Sequence, residues 1–324
     1  MNGNLNSQTP CPCCGSVVID TISKLDGKTG DDLHTVVCMT CGLGRIDPLP
    51  TPEDLEAWYR DSYRQDYKAS AKPAMRHVLR AARNMRDRWN WLKQNCSVPV
   101  LGDPVLDVGA SSGEFVYLAK HLGYKAIGIE PHTGYGEYAR EQLHLDIRHG
   151  SLRQLIQELP SSHFSLVTMF HVLEHFVDPA QALAMYRRVL RQDGMLYIEV
   201  PGSTRLCGKN TLFFRAHTLH FTAHSLRALL EHSGFEIVSL DAPWDGNISA
   251  LAKIASSPAA PAQWTYDDSM RVAAAQRTAW RYALRQLVTL EALQKLWKNF
   301  HERRFARKYV SSTQCLDAVY SEVK

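Results

Sequence analysis

The sequence predicts an α/β fold, in which a mostly parallel sheet flanked by helices follows a small metal-binding ribbon and precedes a helical tail. Two matched cysteine pairs stand near the N-terminus, a strand–loop–helix–strand pattern runs from Val105 to Ile129, and apolar residues recur at helical spacing after Ser257. Strands alternating with helices are typical of a parallel sheet. The 324 residues exceed what one small domain needs, and we predict four successive parts: 1–48, 49–99, 100–256 and 257–324.

The composition, 45% hydrophobic and 22% charged, is that of an ordinary globular protein. A membrane-spanning helix needs roughly eighteen consecutive apolar residues, and the sequence has no such run. The start, MNGNLNSQTP, lacks the basic and apolar segments of a secretion signal, so we expect a cytoplasmic location. The net charge is +4, and the residues from Ser257 onward carry eleven Lys or Arg against six Asp or Glu. An electrostatic partner is therefore expected to bind the tail.

The N-terminal cysteines predict a four-cysteine zinc ribbon. CPCCGS and CMTCG each contain a C-x-x-C pair followed by glycine, and the predicted ligands are Cys11, Cys14, Cys38 and Cys41. Two intervening residues let a tight turn direct both thiolates at one ion. Disulfides are disfavoured in a chain without a secretion signal. Because four thiolates close the coordination shell, this zinc is expected to stabilise the fold without taking part in chemistry; Cys13 has no assigned role.

Residues 49–99 predict a helical connector. Apolar residues from Met75 to Leu92 recur at three- and four-residue steps, with arginines on a second, solvated face. Upstream, Tyr59, Tyr63 and Tyr67 have a regular four-residue spacing, which is compatible with a lid over a ligand or with a core stripe.

The segment PVLDVGASSGEFVYLAKHLGYKAIGIEPH predicts a nucleoside-binding βαβ unit. Val105–Val108 is a short apolar strand, a loop bracketed by Gly109 and Gly113 leads into a helix, and the next strand ends at Glu130, 23 residues after Asp107. The loop lacks the G-x-G-x-x-G pattern that places a pyrophosphate on a helix N-terminus. Acids flanking a glycine loop instead favour a phosphate-free ligand with a ribose and a cationic amino-acid end, which is the chemistry of S-adenosylmethionine.

From about Val100 to Ser256 the sequence resembles the class I S-adenosylmethionine-dependent methyltransferases. The resemblance rests on landmarks in family order: VLDVGASSGEF, GIEPH, RHGSL, HFSLVTMFHVLEH, VLRQDGMLYIEVPG and the closing pair FEIVSLDAP and NISALAKIAS. It implies a Rossmann-like seven-stranded sheet and S-adenosylmethionine as cofactor. The implied cofactor-binding residues are Asp107, Gly109, Ala110, Ser111, Gly113, Glu130, Pro131, Ser151, Leu152 and His171.

The ribbon followed by this core is also similar to C-methyltransferases that act on nucleotide-linked deoxysugars. Those enzymes carry a Tyr-His-Glu-His run after the fifth strand, and the matching positions here are Phe214, Arg215, Ala216 and His217, of which only His217 agrees. The 68 residues of the tail are too few for the second large domain of that family. The finer resemblance therefore covers the front two-thirds of the chain.

The HVLEH motif has the residue order of one class of zinc peptidase, H-x-x-E-H. That chemistry needs a long helix, whereas Phe164–Phe170 predicts a strand that ends at His171, and Asp178–Pro179 begins a new helix. We therefore interpret HVLEH as a strand-to-loop exit. Glu174 and His175 are expected to order the loop, and His171 to face a substrate.

Three histidines are candidate catalytic residues: His217, His171 and His220. Methyl transfer is an in-line displacement that depends on positioning, and histidine can remove the acceptor's proton near neutral pH. A packing or hydrogen-bonding role is the alternative for each of them.

The tail after the linker SSPAAPAQW predicts basic amphipathic helices, with an apolar stripe from Trp280 to Phe300. We expect the stripe to pack on the chain's own domain or on a partner subunit; peripheral membrane contact and self-association stay open.

The leading functional hypothesis is methyl transfer to a small molecule or glycan, including a sugar or nucleotide-sugar. An RNA methyltransferase is the first alternative, disfavoured because HVLEH stands where base-amino methylases carry an Asn/Asp-Pro-Pro motif, so a nucleic-acid partner is not expected. A non-catalytic cofactor-binding scaffold is the second, disfavoured by the intact Asp107, Gly109, Gly113 and Glu130.

Overall fold

The structure is a computed structural model that describes residues 5–51, 53–55, 73–205, 212–243, 246–256 and 263–323. The candidate lid residues Tyr59, Tyr63 and Tyr67 lie outside the described residues. The chain forms two compact units. The first draws on residues 5–55, 171–184 and 198–289, and the second on residues 73–170, 185–197 and 290–323. The predicted division into four successive parts stays a prediction.

In chain order, the described strands are β1 (Leu5–Asn6), β2 (Val18–Leu25), β3 (Asp32–Cys38), β4 (Gly44–Ile46), β5 (Pro104–Val108), β6 (Lys125–Glu130), β7 (Ile147–His149), β8 (Phe164–Phe170), β9 (Leu190–Pro201), β10 (Leu219–His220), β11 (Phe235–Asp241) and β12 (Asn247–Ile254). The described helices are α1 (Met75–Asn95), α2 (Glu114–His121), α3 (Thr133–Leu143), α4 (Leu152–Glu158), α5 (Pro179–Val189), α6 (Ala223–His232), α7 (Ser269–Gln276), α8 (Ala279–Thr289), α9 (Glu291–Ala306) and α10 (Ser312–Tyr320).

Seven strands form one sheet in the order β11-β12-β9-β8-β5-β6-β7. Strand β5 runs parallel to β6 and β8, β6 runs parallel to β7, and β11 and β12 form the antiparallel pair at one edge. The central strands β5 and β8 are buried along almost their whole length, as expected for strands covered by helices on both faces. This arrangement confirms the predicted α/β fold with a seven-stranded, Rossmann-like sheet.

The first unit contains a second sheet in the order β1-β2-β3-β4-β10. The first four strands belong to the cysteine ribbon, whereas β10 comes from the segment that follows β9. Strand β10 pairs antiparallel with β4, so that Leu219 lies opposite Arg45 and His220 opposite Gly44. The Arg45 side chain is fully buried and pairs with Asp47 at 2.5 Å. The ribbon and the candidate histidine segment therefore share one sheet, which the sequence did not predict.

In the second unit, the tail helices α9 and α10 pack on α1 and α2. Arg80 of α1 donates from Nε to both carboxylate oxygens of Glu302, at 3.1 and 2.9 Å, although the arginine face of α1 was expected to be solvated. The Tyr320 hydroxyl donates to the backbone oxygen of Glu114 at 2.9 Å. Cys315, Leu316 and Tyr320 are completely buried. The end of the tail is thus part of the core of this unit.

The predicted apolar stripe of the tail is exposed on α8 and α9. Trp280, Leu287, Trp297 and Phe300 keep 61–74% of their surface accessible. The prediction that this stripe packs on the chain's own domain is therefore wrong for the described residues. The buried residues of α9 are instead Glu302 and Ala306, on its other face. Contact with a partner subunit or a membrane surface stays a prediction. No helix in the described ranges is long and apolar enough to cross a membrane.

We expect Leu316→Ala to lower the free energy of unfolding by about 2–5 kcal/mol, because truncating a fully buried leucine leaves a cavity between α10 and the helices beneath it. Reversible urea unfolding measures the change. Leu293→Ala is the matched control, since Leu293 is 60% exposed and its truncation should change the value by less than about 0.5 kcal/mol. Equal effects of the two variants would contradict the docking of α10.

Candidate functional site

The glycine loop of the second unit connects β5 to α2 and is fixed by backbone hydrogen bonds. The amides of Gly109 and Ala110 both donate to the backbone oxygen of Ile129, at 2.8 and 3.0 Å. Gly113 adopts a left-handed conformation with φ 86°, and a Cβ there would lie 2.6 Å from the Leu145 side chain. Only glycine fits this position. The loop therefore has no side chain at Gly113, at the start of the helix that follows β5.

Glu130, the last residue of β6, holds the same loop through its carboxylate. Its Oε2 accepts a hydrogen bond from the Ser111 amide at 2.7 Å, and its Oε1 accepts one from the His132 amide at 2.8 Å. The side chain is 7% exposed. A carboxylate offers about four acceptor sites, so one such group can accept hydrogen bonds from more than one donor. The predicted ribose-binding acid thus also orders the loop beside it.

Asp107, on β5, is a buried carboxyl group at the base of the loop. Its Oδ1 accepts a hydrogen bond from the Thr168 hydroxyl at 2.7 Å. Burial raises the pKa of Asp107 to about 7, although the Thr168 hydrogen bond acts in the opposite direction. Sequence reasoning missed Thr168; its position opposite Asp107 in the β5–β8 register becomes visible only once the strands are paired.

The remaining predicted cofactor residues of this unit lie after neighbouring parallel strands. Pro131 follows β6, and Ser151 and Leu152 follow β7 at the start of α4. Because β5, β6 and β7 are parallel neighbours, the residues at their carboxyl ends share one edge of the sheet. The structure therefore brings the predicted set from Asp107 to Leu152 together at this edge.

His171 belongs to the first unit and follows β8 directly. Its backbone is left-handed, with φ 59°, and its amide donates to the Glu199 backbone oxygen at 2.8 Å. The ring Nε2 lies 3.1 Å from Glu199 Oε1 and 3.2 Å from Asn247 Nδ2, while Asn247 Nδ2 also donates to Glu199 Oε1 at 2.9 Å. Sequence reasoning missed Glu199 and Asn247. An acid in the otherwise apolar strand LYIEVP was the available signal for Glu199.

Histidines surround the buried carboxylate of Glu174. Its Oε1 lies 3.4 Å from His171 Nδ1 and 3.9 Å from each Nε2 of His175 and His217. His175 makes a hydrogen bond of 2.6 Å between Nδ1 and the backbone oxygen of Ala216.

The residues Leu173–His175 form one short 3₁₀ turn, so the helix that a zinc peptidase needs is not formed by HVLEH. The strand Phe164–Phe170 has the predicted boundaries.

The candidate catalytic histidines His217 and His220 are both enclosed. Burial, followed by the charges of His175 and His220, lowers the pKa of His217 well below its usual 6.5. Burial together with Arg277 lowers the pKa of His220 to about 3. His217 keeps 15% of its side chain exposed and contacts the Phe214 ring at a tilt of 41°, whereas His220 is 3% exposed and meets the Phe213 ring edge-on. Both imidazoles are therefore neutral near pH 7, and His217 is the more accessible.

The four predicted cysteine ligands converge in the ribbon. The Sγ atoms of Cys11 and Cys41 are 3.6 Å apart, those of Cys14 and Cys38 are 3.4 Å apart, and all four lie within 4.8 Å of one another. A zinc ion with bonds of about 2.3 Å holds four sulfurs about 3.8 Å apart. The donor set and its spacing therefore fit a tetrahedral zinc ion, and Cys13 is not one of the grouped ligands.

Comparison with known proteins gives a match between residues 74–240 and the family described as "Methyltransferase domain". A protein named as a probable S-adenosylmethionine-dependent methyltransferase from Mycolicibacterium smegmatis is 32% identical over 138 residues, 42% of this chain and 53% of that protein. The C-methyltransferase NovU of Streptomyces niveus is 24% identical over 234 residues, 71% of this chain and 52% of NovU. The chain thus spans about half the length of these curated relatives.

Among solved structures, the 1,6-didemethyltoxoflavin-N1-methyltransferase of Burkholderia thailandensis resembles the chain with a TM-score of 0.46 and 20% identity. The likeness covers 68% of this chain and 96% of that one.

We expect Asp107→Asn to stabilise the ligand-free protein at high pH. Between the unfolded pKa near 3.8 and the folded pKa of about 7, the folded protein binds a proton that the unfolded chain releases, so this group's contribution is lost as pH rises. The free energy of unfolding of the variant should exceed that of the wild type by on the order of 3 kcal/mol at about pH 8, and the gap should nearly close near pH 4. Urea unfolding at several pH values measures it.

Asp193→Asn removes an exposed carboxylate, 75% accessible, and controls for the general effect of charge. The difference in free energy of unfolding between Asp107→Asn and the wild type should change with pH. A difference that is constant with pH, or equal to that of Asp193→Asn, contradicts the interpretation of Asp107 as a buried carboxyl group.

Proposed function

The chain belongs to the methyltransferase domain family, and we propose that it transfers a methyl group from S-adenosylmethionine to a small-molecule or glycan acceptor. The membership confirms the class that the sequence motifs predicted. The observation that carries the proposal is the edge of the second unit where Asp107, the glycine loop and Glu130 meet at the ends of adjacent parallel strands. It offers two carboxyl groups and an open backbone, and no lysine or arginine is among its predicted cofactor residues.

Each cofactor residue has a proposed role that follows from its chemistry. Glu130, at the end of β6, accepts hydrogen bonds from the two ribose hydroxyls through its carboxylate oxygens. Asp107 pairs with the ammonium of the amino-acid end, which would favour its ionised form. Gly109, Ala110, Ser111 and Gly113 let the ligand approach the backbone closely. The proposed adenine-side residues are Pro131, Ser151 and Leu152, and His171 is proposed to face the methyl group.

The proposed reaction is a displacement at the methyl carbon. A lone pair of the acceptor forms the new bond to that carbon while the carbon–sulfur bond breaks, and the sulfur keeps the electron pair as the thioether of S-adenosylhomocysteine. The acceptor loses its proton, and the Nε2 lone pair of the neutral His217 is the candidate to receive it. The lowered pKa makes His217 a weak base, so positioning and exclusion of water would supply most of the rate. The alternatives to His217, or supports for it, are His171, whose side chain is 38% exposed, and the enclosed His220.

The acceptor class rests on relatives and on the sequence. NovU is named a C-methyltransferase and matches 71% of this chain. The segment at Phe214–His217 departs from the deoxysugar pattern, so a nucleotide-linked sugar is one member of the proposed class and not its definition. We also propose one structural zinc ion bound by Cys11, Cys14, Cys38 and Cys41.

Isothermal titration calorimetry with S-adenosylmethionine tests the cofactor. The wild type should bind one molecule, and Glu130→Gln should weaken binding by about 10- to 100-fold, the worth of hydrogen bonds to a charged group. Glu137→Gln, at an exposed position of α3, should bind like the wild type. Absence of heat from the folded wild type would remove the proposed function.

Acceptor-dependent formation of S-adenosylhomocysteine tests the reaction. A panel of nucleotide-linked sugars, glycans, phenols and RNA is incubated with the protein and the cofactor. We expect turnover with a small molecule or glycan; turnover with RNA alone would overturn the acceptor class.

Metal analysis of the purified protein tests the ribbon. Cys14→Ser should lower zinc affinity on the order of 100-fold, because each thiolate contributes a large share of the binding free energy. Cys13→Ser, one residue away, should keep the zinc. The reverse pattern, or equal loss in both variants, would show that the ligand set is wrong.

A further inference from the structure

The side chain of Glu174 is a buried acid in the first unit whose oxygens lack hydrogen bonds from the described part of the chain. The residue is 1% exposed, and neither carboxylate oxygen has a hydrogen bond from any described residue. An ionised carboxylate without partners is among the costliest groups to bury, because it loses its hydration and gains nothing in return. A partner is therefore missing from this position.

The nearest neighbours of this carboxylate are ring nitrogens. The backbone oxygen of Ala216 can only accept a hydrogen bond, so His175 must carry a proton on Nδ1 for the 2.6 Å contact. In the neutral ring this leaves a lone pair on Nε2, and that atom lies 3.9 Å from Glu174 Oε1. The Nε2 of His217 lies at the same distance. At 3.9 Å none of these pairs is a hydrogen bond, and electron-rich atoms converge on one point.

The spacing of these atoms suits a metal ion. One ligand atom each from Glu174, His175 and His217 lies within 4.8 Å of the others. A point equidistant from three atoms at these separations is at most about 2.5 Å from each, and a contraction of a few tenths of an ångström gives the 2.0–2.2 Å bonds of nitrogen and oxygen ligands. Two imidazoles and one carboxylate are a set that binds divalent transition metals, zinc and iron among them.

Hydrogen bonds behind the cluster fix the orientation of its members. The bond from His175 Nδ1 to Ala216 is of the kind that metal-binding histidines make to a backbone carbonyl. The Thr218 hydroxyl is 3.0 Å from the backbone oxygen of Glu174 and 2.9 Å from that of Phe176, which ties the 3₁₀ turn to the segment carrying His217. The ligands are thus supported before any ion binds.

We propose that Glu174, His175 and His217 form a divalent transition-metal site in the first unit, distinct from the four-cysteine ribbon. Three protein ligands leave coordination positions for water or for an oxygen of a bound molecule, unlike the closed four-thiolate set. His171 Nδ1, 3.4 Å from Glu174 Oε1, stands beside the site.

A role for this ion in methyl transfer rests on the proposed function. An acceptor hydroxyl bound to the ion would lose its proton more readily, as metal-bound water does, and a keto oxygen bound to the ion would acidify the C–H of the neighbouring carbon. That proton can then pass to a weak base such as water, and His217 acts as a ligand instead of the base.

Metal titration of the full chain tests the site. The protein is first given one equivalent of Zn²⁺ to fill the ribbon and is then titrated with Mn²⁺, followed by the electron paramagnetic resonance of the free ion, and with further Zn²⁺ in competition with a chelating dye. We expect one additional ion per chain. Glu174→Gln and His217→Asn should each weaken its binding at least about tenfold.

His232→Asn is the matched control, since the His232 Nδ1 also contacts a backbone carbonyl, that of Ala228 at 2.8 Å, while the ring stacks on Trp264. It should bind the additional ion like the wild type. Thermal unfolding gives a second readout: the ion should raise the unfolding temperature of the wild type and of His232→Asn, and not that of Glu174→Gln. No ion beyond the ribbon zinc, or equal binding by Glu174→Gln and the wild type, overturns the proposal.

These measurements need neither S-adenosylmethionine nor an acceptor. Ion binding without cofactor binding would leave the metal site standing and remove the methyl-transfer proposal, whereas cofactor binding without the additional ion would do the opposite. If His217→Asn keeps the ion and loses turnover, His217 is the base and the ligand assignment falls.

Discussion

The antiparallel pairing of β4 with β10 is the constraint on which the first unit depends. It joins the last strand of the ribbon to the segment that carries His217 and His220, and the Ile46 amide adds a hydrogen bond of 3.0 Å to the Thr218 backbone oxygen. Gly44 has no space for a side chain, because a Cβ there would collide with Met270 and lie 3.0 Å from the His220 Cβ. The cysteine cluster therefore affects residues outside the ribbon. Folding of the ribbon sets the position of the histidines on the neighbouring strand.

Two buried carboxyl groups show different solutions to the same electrostatic problem. Asp107 has a hydroxyl donor, Thr168, and its raised pKa lets it hold a proton near neutral pH, which limits the cost of burial until a cation arrives. Glu174 has no donor among the described residues and is enclosed by imidazoles that can offer lone pairs. The first arrangement suits an organic ammonium, and the second suits a metal ion. Burying a carboxyl group costs free energy that an apolar residue would not.

The sequence predicted the features that depend on local pattern. The strand Phe164–Phe170, the glycine loop, the acid at the end of β6 and the grouping of four cysteines all follow from short motifs whose geometry is set by neighbours in the chain. Features that depend on distant pairing were missed. Two residues, Leu219 and His220, are too short a strand to recognise, and Thr168, Glu199 and Asn247 become partners only through strand order. Periodicity identified the stripe from Trp280 to Phe300 but cannot say what covers it.

The left-handed backbone of His171 bears on any attempt to redesign this chain. A residue with a Cβ pays about 1–2 kcal/mol to adopt φ 59°, and glycine would adopt it freely. A procedure that ranks substitutions by folding stability alone would therefore select glycine at position 171. It would thereby delete the imidazole that contacts both Glu199 and Asn247. Thermostabilised versions of this protein should accordingly be chosen with that position held fixed.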